Sequence, residues 1–446
     1  MCCRRWCGSA PLLFVSAWAM VLGALPSGTA TAAEGDRGRP PNIVVVLADD
    51  LGIGNVGCFG ADAFKTPHID ALAASGLRFT RCYSAPNCGP SRAMMLTGRY
   101  GFRTGMTGND KTAVKLMRDG RTSEVMIPRI LAARGYATAS AGKWSQIPME
   151  PGDWGFDESI TTSGSGAYWP TEERATYRLN GKEEPWEEGV YMPDLAHAFV
   201  VDFMTRHKDR PFYVHYALSH VHTKILPTPD SAADAADLYA DNIAYMDKLV
   251  GRLLADLERL GLRDRTLVIF TGDNGVHPGK GDISTVGGRR LNGAKGTLTE
   301  GGSRVPLVAS WPGKVAAGGT CDDLVSFTDF LPTLAEIAGA ALPAATTVDG
   351  RGFAARLLGR PATPREWLFV MLGRHWYVRD ARWKLTDTGD LLDLRAAPFE
   401  EEPVAADSPD PEAQAGRARL AAVLRDLDPA GGKLGEESGK HDKHDR

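Results

Sequence analysis

The chain carries no excess of either charge. Its 51 lysines and arginines stand against 55 aspartates and glutamates in 446 residues, a formal net charge of −4. No basic stripe interrupts that balance, which argues against nucleic acid as the main partner. It leaves an anionic small molecule open, because a site needs only a few local cations. Cysteine is scarce as well. Of the seven, Cys2, Cys3 and Cys7 crowd the first residues, and Cys58, Cys82, Cys88 and Cys321 are spread over the rest, so this is not a disulfide scaffold. Nor is there an apolar run of membrane-spanning length. The stretch at residues 11–25 is short for a span. It follows Arg4 and Arg5 and precedes the small residues Ala30-Thr31-Ala32-Ala33, the layout of a cleavable export signal. Residues 1–33 are therefore expected to be a signal peptide. The mature protein is expected in a periplasmic, secreted or other extracytoplasmic compartment, with no stable membrane span.

What remains, at 43% hydrophobic and 24% charged, is long enough for one large domain and a smaller one. Strands alternate with helices along it. Apolar, β-branched residues at 43–47 read as a strand, residues 66–73 as a helix, 77–79 as a short strand, and 123–134 as a helix ended by Gly135. A strand at 136–141, a helix at 195–206, a buried strand at 211–217 and a long amphipathic helix at 238–260 follow, leading into a strand at 267–270. This alternation predicts an α/β fold, a large mixed, mostly parallel sheet flanked by helices. Between 161 and 191 the pattern breaks. Asn180-Gly181 marks a hairpin, and Tyr168, Trp169, Trp186 and Tyr191 make the insertion aromatic, as expected of a segment facing a ligand. Short strands at 367–371, 376–379, 383–386 and 391–394, then a helix at 411–427, predict a small C-terminal antiparallel sheet plus helix. The expected layout is a large domain over 34–364, a subdomain over 365–430, and a disordered polar tail over 431–446. His441 and His444 in that tail are expected to be solvated.

The chemistry gathers at strand ends. Asp49-Asp50 follows the strand at 43–47, and Thr271-Gly272-Asp273-Asn274-Gly275 follows the one at 267–270. Carboxylates just past the carboxyl ends of buried strands mark the ligand edge of an open α/β sheet. Four oxygen donors with no histidine or cysteine among them suit a hard divalent cation, calcium first and magnesium as the alternative. Pro90 is placed to enter a helix over 91–97, so Cys88 stands at a helix N-terminus, where anions are favoured. Arg92 lies one turn on along the same face. A nucleophile position, a hard metal and an anion hole together point to hydrolysis of a sulfate or phosphate ester.

Cys88-Gly89-Pro90-Ser91-Arg92, followed by Leu96-Thr97-Gly98-Arg99, resembles the signature of the formylglycine-dependent sulfatases, the arylsulfatase-like branch of the alkaline phosphatase superfamily. The likeness runs from about Pro41 to about Leu394 and keeps the family's motif order. Besides C-x-P-S-R it comprises Asp49-Asp50-Leu51-Gly52, Gly142-Lys143-Trp144, a strand and then His222, Thr271 to Gly275, and Lys295-Gly296 leading to Glu300-Gly301-Gly302 and Arg304-Val305-Pro306. The resemblance implies an alkaline phosphatase-like fold. It also implies that a formylglycine-generating or equivalent maturation enzyme oxidises Cys88 to formylglycine. One hydroxyl of the hydrate would attack sulfur and the other, once deprotonated, would expel sulfate, an exit that a sulfated thiol lacks. With Cys88 modified, the three cysteines left after the leader cannot all pair. Asp49, Asp50, Asp273 and Asn274, joined by residue 88, would hold the metal. The zinc phosphatases of the superfamily use histidines at related positions, so zinc is not expected. Arg92 would help neutralise the hydrate. Lys143, Lys295 and His222 would clamp the sulfate, and either Lys295 or His222 would protonate the departing alkoxide.

One motif departs from the family pattern. Gly-Lys-Trp-His is usual, and here Ser145 takes the place of the histidine. A serine is no base near neutral pH. Either water or Gln146 organises that position, or His220, two residues before His222 and on the same face of an extended chain, supplies the base. Arg374, His375, Trp376 and His277 are weaker candidates for substrate contacts. The expected function is an exported sulfatase acting on a sulfated small molecule or carbohydrate. The alternatives are a phosphonate or phosphate ester hydrolase on the same scaffold and a non-catalytic binder of sulfated glycans.

Overall fold

The run Ile-Val-Val-Val-Leu within β1 (Asn42–Ala48) offers no polar face, and the strand is buried along its whole length, as a central strand covered on both sides must be. The computed structural model describes residues 38–119, 124–144, 146–162 and 164–432. The leader, nearly all of the tail, and Ser145 lie outside the described residues. After β1 come α1 (Pro67–Ala74), β2 (Leu77–Tyr83), α2 (Cys88–Thr97), α3 (Gly101–Thr104), α4 (Lys111–Asp119), α5 (Ile127–Ala132), β3 (Ala137–Lys143), β4 (Glu158–Thr162), β5 (Thr176–Leu179) and β6 (Lys182–Pro185). Then follow α6 (Met192–Arg206), β7 (Phe212–Ala217), α7 (Leu238–Arg259), β8 (Thr266–Gly272), the short pair β9 (Thr285–Val286) and β10 (Arg289–Arg290), α8 (Glu300–Ser303), β11 (Arg304–Ser310), β12 (Gly319–Ser326), α9 (Phe330–Ala338) and α10 (Ala354–Leu357).

Ten strands form one mixed sheet in the order β12-β2-β11-β8-β1-β7-β3-β4-β5-β6. Its centre, β8-β1-β7-β3-β4, is parallel throughout, and β11 runs antiparallel between β8 and β2. Alternate residues of β1 enter different layers. Ile43, Val45 and Leu47 pack with Met94 and Leu96 of α2, Ile130 of α5 and Leu334 of α9. Val44, Val46 and Ala48 pack with Ile69 of α1, Phe203 of α6 and Met246 and Val250 of α7. Helices therefore cover both faces, as the strand–helix alternation predicts.

A second, antiparallel sheet takes its strands in chain order: β13 (Leu368–Leu372), β14 (His375–Arg379), β15 (Trp383–Thr386), β16 (Leu391–Asp393) and β17 (Glu402–Val404). Helix α11 (Pro411–Leu427) closes over it, burying Ala413 and Leu420 against Trp383, Leu385 and Leu391. No helix among the described residues is long and apolar enough to cross a membrane.

Three local expectations differ from the structure. The helix expected from residue 123 begins at Ile127, with Pro128 in its first turn, where proline's missing N–H costs nothing. The short strand at 77–79 extends to Tyr83 because β11 and β12 pair with it on both edges, and tertiary pairing overrides local pattern. The hairpin at Asn180-Gly181 is present, with φ of 53° and 78° at its two turn residues. Its aromatic neighbours, however, face inward. Tyr168, Trp186 and Tyr191 are buried, and Tyr168 donates its hydroxyl to the Ser219 carbonyl at 2.8 Å. They cover the core beside α6 instead of lining an open surface.

Candidate active site

Parallel pairing aligns Ala48 with Gly272, so the residues that follow β1 and β8 emerge side by side. Asp49, Asp50, Asp273 and Asn274 are all fully buried there. The Asp273 N–H donates to the Ala48 carbonyl at 2.9 Å, and the Asp49 N–H donates to the His220 carbonyl at 2.6 Å, fastening the loop after β7 to the end of β1. Asp50 has φ of 57°, a left-handed conformation that aspartate tolerates better than most residues. Its N–H donates to Asp273 Oδ1 at 3.1 Å.

The cations come from three other segments. Strand β3 ends on Lys143, whose Nζ donates to Asp49 Oδ2 at 2.6 Å. The preceding Gly142 has φ of 100°, and a Cβ there would lie 2.0 Å from the Ala217 carbonyl oxygen, so only glycine fits. Helix α2 begins at Cys88, with the Asn87 side chain accepting the Cys88 N–H at 3.0 Å. One turn on, Arg92 donates from Nε to Asp273 Oδ2 at 2.9 Å and from a terminal nitrogen to the Lys143 carbonyl at 3.0 Å. Lys295 reaches Asp50 Oδ1 at 2.7 Å. Its loop is tied down by the Lys295 N–H on the Val276 carbonyl and the Gly296 N–H on the Pro86 carbonyl. His222 stands at the rim, 18% exposed, with Nε2 3.9 Å from Asp50 Oδ2. Its Nδ1 bonds the Thr223 carbonyl, which turns Nε2 toward the site.

Three carboxylates thus face three cations. Burial works against the charges on Arg92 and Lys295, yet the carboxylates prevail: Asp273 and Asp49 raise the Arg92 guanidinium above its ordinary value, and Asp50 leads in raising the Lys295 ammonium. The pairing is incomplete on the acid side. Asp49 Oδ1, Asp50 Oδ2 and Asn274 Oδ1 are buried and accept no hydrogen bond among the described residues. Ligand atoms of Asp49, Cys88 and Asp273 lie within 4.8 Å of one another, as do those of Asp49, Asp50 and His222. Acceptor-only oxygens buried without donors are costly, and a hard cation is the partner that would satisfy several of them at once. The residues present fit calcium or magnesium in that respect. Beside such an ion, Lys143, Lys295 and Arg92 offer the donors for a tetrahedral anion.

His220, expected to share the face of His222 and act as the base, does not stand at the rim with it. It is fully buried, shares a hydrogen bond of 2.9 Å between Nε2 and the Tyr191 hydroxyl, and packs against the rings of Tyr168 and Tyr245. Burial pushes its imidazole down to about 3. No hydrogen bond joins its ring to Cys88 among the described residues. Gln146 has φ of 77°, and its Oε1 is buried without a partner among the described residues. His375 is exposed and pairs with Asp387 at 2.7 Å in the turn region of β13 and β14, and His277 bonds the Gly279 N–H, capping its own turn. The sequence reading missed Asn109, which touches Cys88. It sits in an irregular loop between α3 and α4, outside every motif and without periodicity to mark it.

The sulfatase family model matches residues 41–340. The chain is 36% identical over 379 residues to arylsulfatase A of Homo sapiens, spanning 78% of this chain and 72% of that protein. It is 31% identical over 431 residues to steryl-sulfatase of Rattus norvegicus, spanning 77% and 74%. Among solved structures, Ps i-CgsB in complex with k-i-k-neocarrahexaose matches with a TM-score of 0.73 at 27% identity, covering 87% of this chain and 92% of that one.

Proposed function

The chain belongs to the sulfatase family and is a sulfuric ester hydrolase, and we propose that it is an exported enzyme that removes sulfate from a sulfated carbohydrate, using formylglycine at position 88 and a bound calcium ion. The observation that carries this reading is the set of three buried oxygens, on Asp49, Asp50 and Asn274, that accept no hydrogen bond among the described residues, with Asp49 and Asp273 gathered at Cys88. Asp273 and residue 88 would complete the ligand set, and a calcium ion held there would supply Lewis-acid polarisation of the sulfuryl group. One hydroxyl of a formylglycine hydrate would attack sulfur as the S–O bond to the alcohol breaks, and the other, once deprotonated, would collapse to the aldehyde as the C–O bond to sulfate breaks, with water restoring the hydrate.

The chain's own residues do the rest. Arg92, anchored on Asp273, holds positive charge beside residue 88. Lys143 and Lys295, each braced on a carboxylate, hold the sulfuryl oxygens through the transition state. His222 protonates the departing alkoxide, because its Nε2 stands at the rim 3.9 Å from Asp50 Oδ2, beyond hydrogen-bond reach, whereas Lys295 donates directly to Asp50. His220 serves as a positioning residue, its carbonyl fixing the Asp49 backbone and its ring locked by Tyr191. Export rests on the charged, apolar and small-residue sequence of residues 1–33, and the reading requires a maturation enzyme to convert Cys88. A carbohydrate substrate is supported by the similarity to Ps i-CgsB, solved with k-i-k-neocarrahexaose.

The test is sulfate release from a panel of sulfated oligosaccharides, with aryl sulfate and aryl phosphate esters as a matched pair. Loss of sulfate from at least one oligosaccharide, with aryl sulfate outpacing aryl phosphate, is the expected result. Faster turnover of the phosphate ester would overturn the sulfate assignment, and an aryl-only activity would overturn the carbohydrate assignment.

A further inference from the structure

Residue 88 is held from a side that none of the sequence motifs includes. Asn109 Nδ2 donates to Cys88 Sγ at 3.2 Å and to Asn87 Oδ1 at 2.7 Å. Its Oδ1 accepts the Gly89 N–H at 2.9 Å. Asn87 Oδ1 also accepts the Cys88 N–H, so two carboxamides and the first turn of α2 close a ring around residue 88. A second observation concerns Gly89, the variable position of C-x-P-S-R. A Cβ there would lie 2.4 Å from Asn109 Oδ1 and 2.6 Å from the Met106 methyl. Its backbone is not left-handed, so a methyl there would be accommodated only by pushing the Asn109 carboxamide and the Met106 methyl aside. The loop is also anchored at its far side, where the Gly373 N–H donates to the Thr107 carbonyl at 2.8 Å.

We propose that Asn109 is a hydrogen-bond donor to the oxygen nucleophile at residue 88 and holds it in its hydrated form. The inference rests on the formylglycine reading above. The atom replacing Sγ lies within 4.8 Å of carboxylate oxygens of Asp49 and Asp273 and 3.2 Å from the Asn109 amide nitrogen. A hydrate offers two oxygens to share between the metal-binding carboxylate cluster and the amide donor, whereas an aldehyde has only one. Water adds across the C=O bond, and Asn109 donates a hydrogen bond to the product without exchanging a proton. It is therefore no base. It fixes the orientation of residue 88 and favours the diol over the carbonyl.

Asn109→Asp tests this, since it keeps the acceptor for the Gly89 N–H and removes the donor. Gly89→Ala is an independent second variant, because its methyl displaces the carboxamide while leaving Asn109 in the chain. Each protein, matured alongside the unaltered enzyme, is measured for conversion of Cys88 by peptide mass, for the rate of labelling by an aminooxy reagent, and for kcat and KM. With conversion complete, both variants label about 10-fold faster, and kcat falls roughly 100-fold while KM changes less than about threefold, the pattern of a lost transition-state donor. Full conversion with unchanged labelling and kcat overturns the role of Asn109 and leaves the formylglycine reading standing. An unconverted thiol in the active, unaltered enzyme overturns both.

Discussion

Arg379→Met is expected to cost stability out of proportion to one side chain, because the charge it leaves behind cannot reach water. Glu300 opens α8, five residues after Lys295, and both Glu300 and Arg379 are only 2% exposed. The Glu300 carboxylate accepts the Tyr83 hydroxyl at 2.9 Å and Arg304 at 3.2 Å, and pairs with Arg379, which also donates to the Tyr83 oxygen. Beside it, Glu401 accepts the Glu300 N–H at 2.8 Å and pairs with Lys384, which also donates to the Leu298 carbonyl. The second sheet thus grips the segment that carries Lys295. Burial would raise the Glu300 pKa, but Arg379, followed by Arg304, outweighs it and holds the carboxyl below its ordinary value. A depressed carboxyl stabilises the fold above the unfolded carboxylate range and ceases to do so as pH falls through the folded value, so the cluster is fully effective at pH 7. Removing one partner of a buried pair costs about 3–5 kcal/mol, because the other charge stays buried. Arg304 and the Tyr83 hydroxyl still hold Glu300 here, so the lower end of that range is expected. Replacing both by methionine removes that charge and is expected to cost less than the sum of the two single changes. Urea unfolding at pH 7 and fixed calcium would measure the cycle. A loss below about 1 kcal/mol for Arg379→Met, or simple additivity in the double variant, would refute the reasoning.

Removal of the divalent ion by a chelator should lower the melting temperature and calcium should restore it, and Asn274→Leu should raise the calcium concentration needed for half-restoration by about tenfold or more. A melting temperature indifferent to chelation would contradict the metal assignment. Burial, with Arg92 adding to it, pushes the buried His215 imidazole down to about 3. The folded state then binds fewer protons than the unfolded state between about pH 3 and 6.5, so His215 lowers stability progressively as pH falls through that window, by about 1.4 kcal/mol per pH unit. His215→Gln should flatten the acid limb of a stability–pH curve by that slope, and an unaltered limb would show that His215 titrates normally.

The α/β architecture was legible because β1, β7 and β8 are largely apolar, buried along their whole length, and alternate with helices. The gathering of Asp49, Asp50, Asp273 and Asn274 was legible for a related reason: parallel strands deliver their carboxyl ends to one edge. Contacts made by irregular chain were not legible. Asn109 reaches Cys88 from a loop, and no periodicity or motif marks it. Arg379 and Glu300 lie 79 residues apart and meet only because β14 stacks beside α8. The aromatics between 161 and 191 looked like a ligand surface, but Tyr168, Trp186 and Tyr191 are core residues. An aromatic cluster in sequence does not reveal which way it faces.

Formylglycine at position 88 is the claim on which the proposed chemistry depends, and the mass of one peptide tests it most directly. Trypsin cuts after Arg81 and Arg92, releasing residues 82–92 from enzyme matured in a host that carries the modifying activity. The account predicts a loss of about 18 Da assigned to residue 88 by fragmentation, the change from thiol to aldehyde, in step with sulfatase activity. A cysteine of unaltered mass at position 88 in protein that hydrolyses sulfate esters at full rate would contradict it.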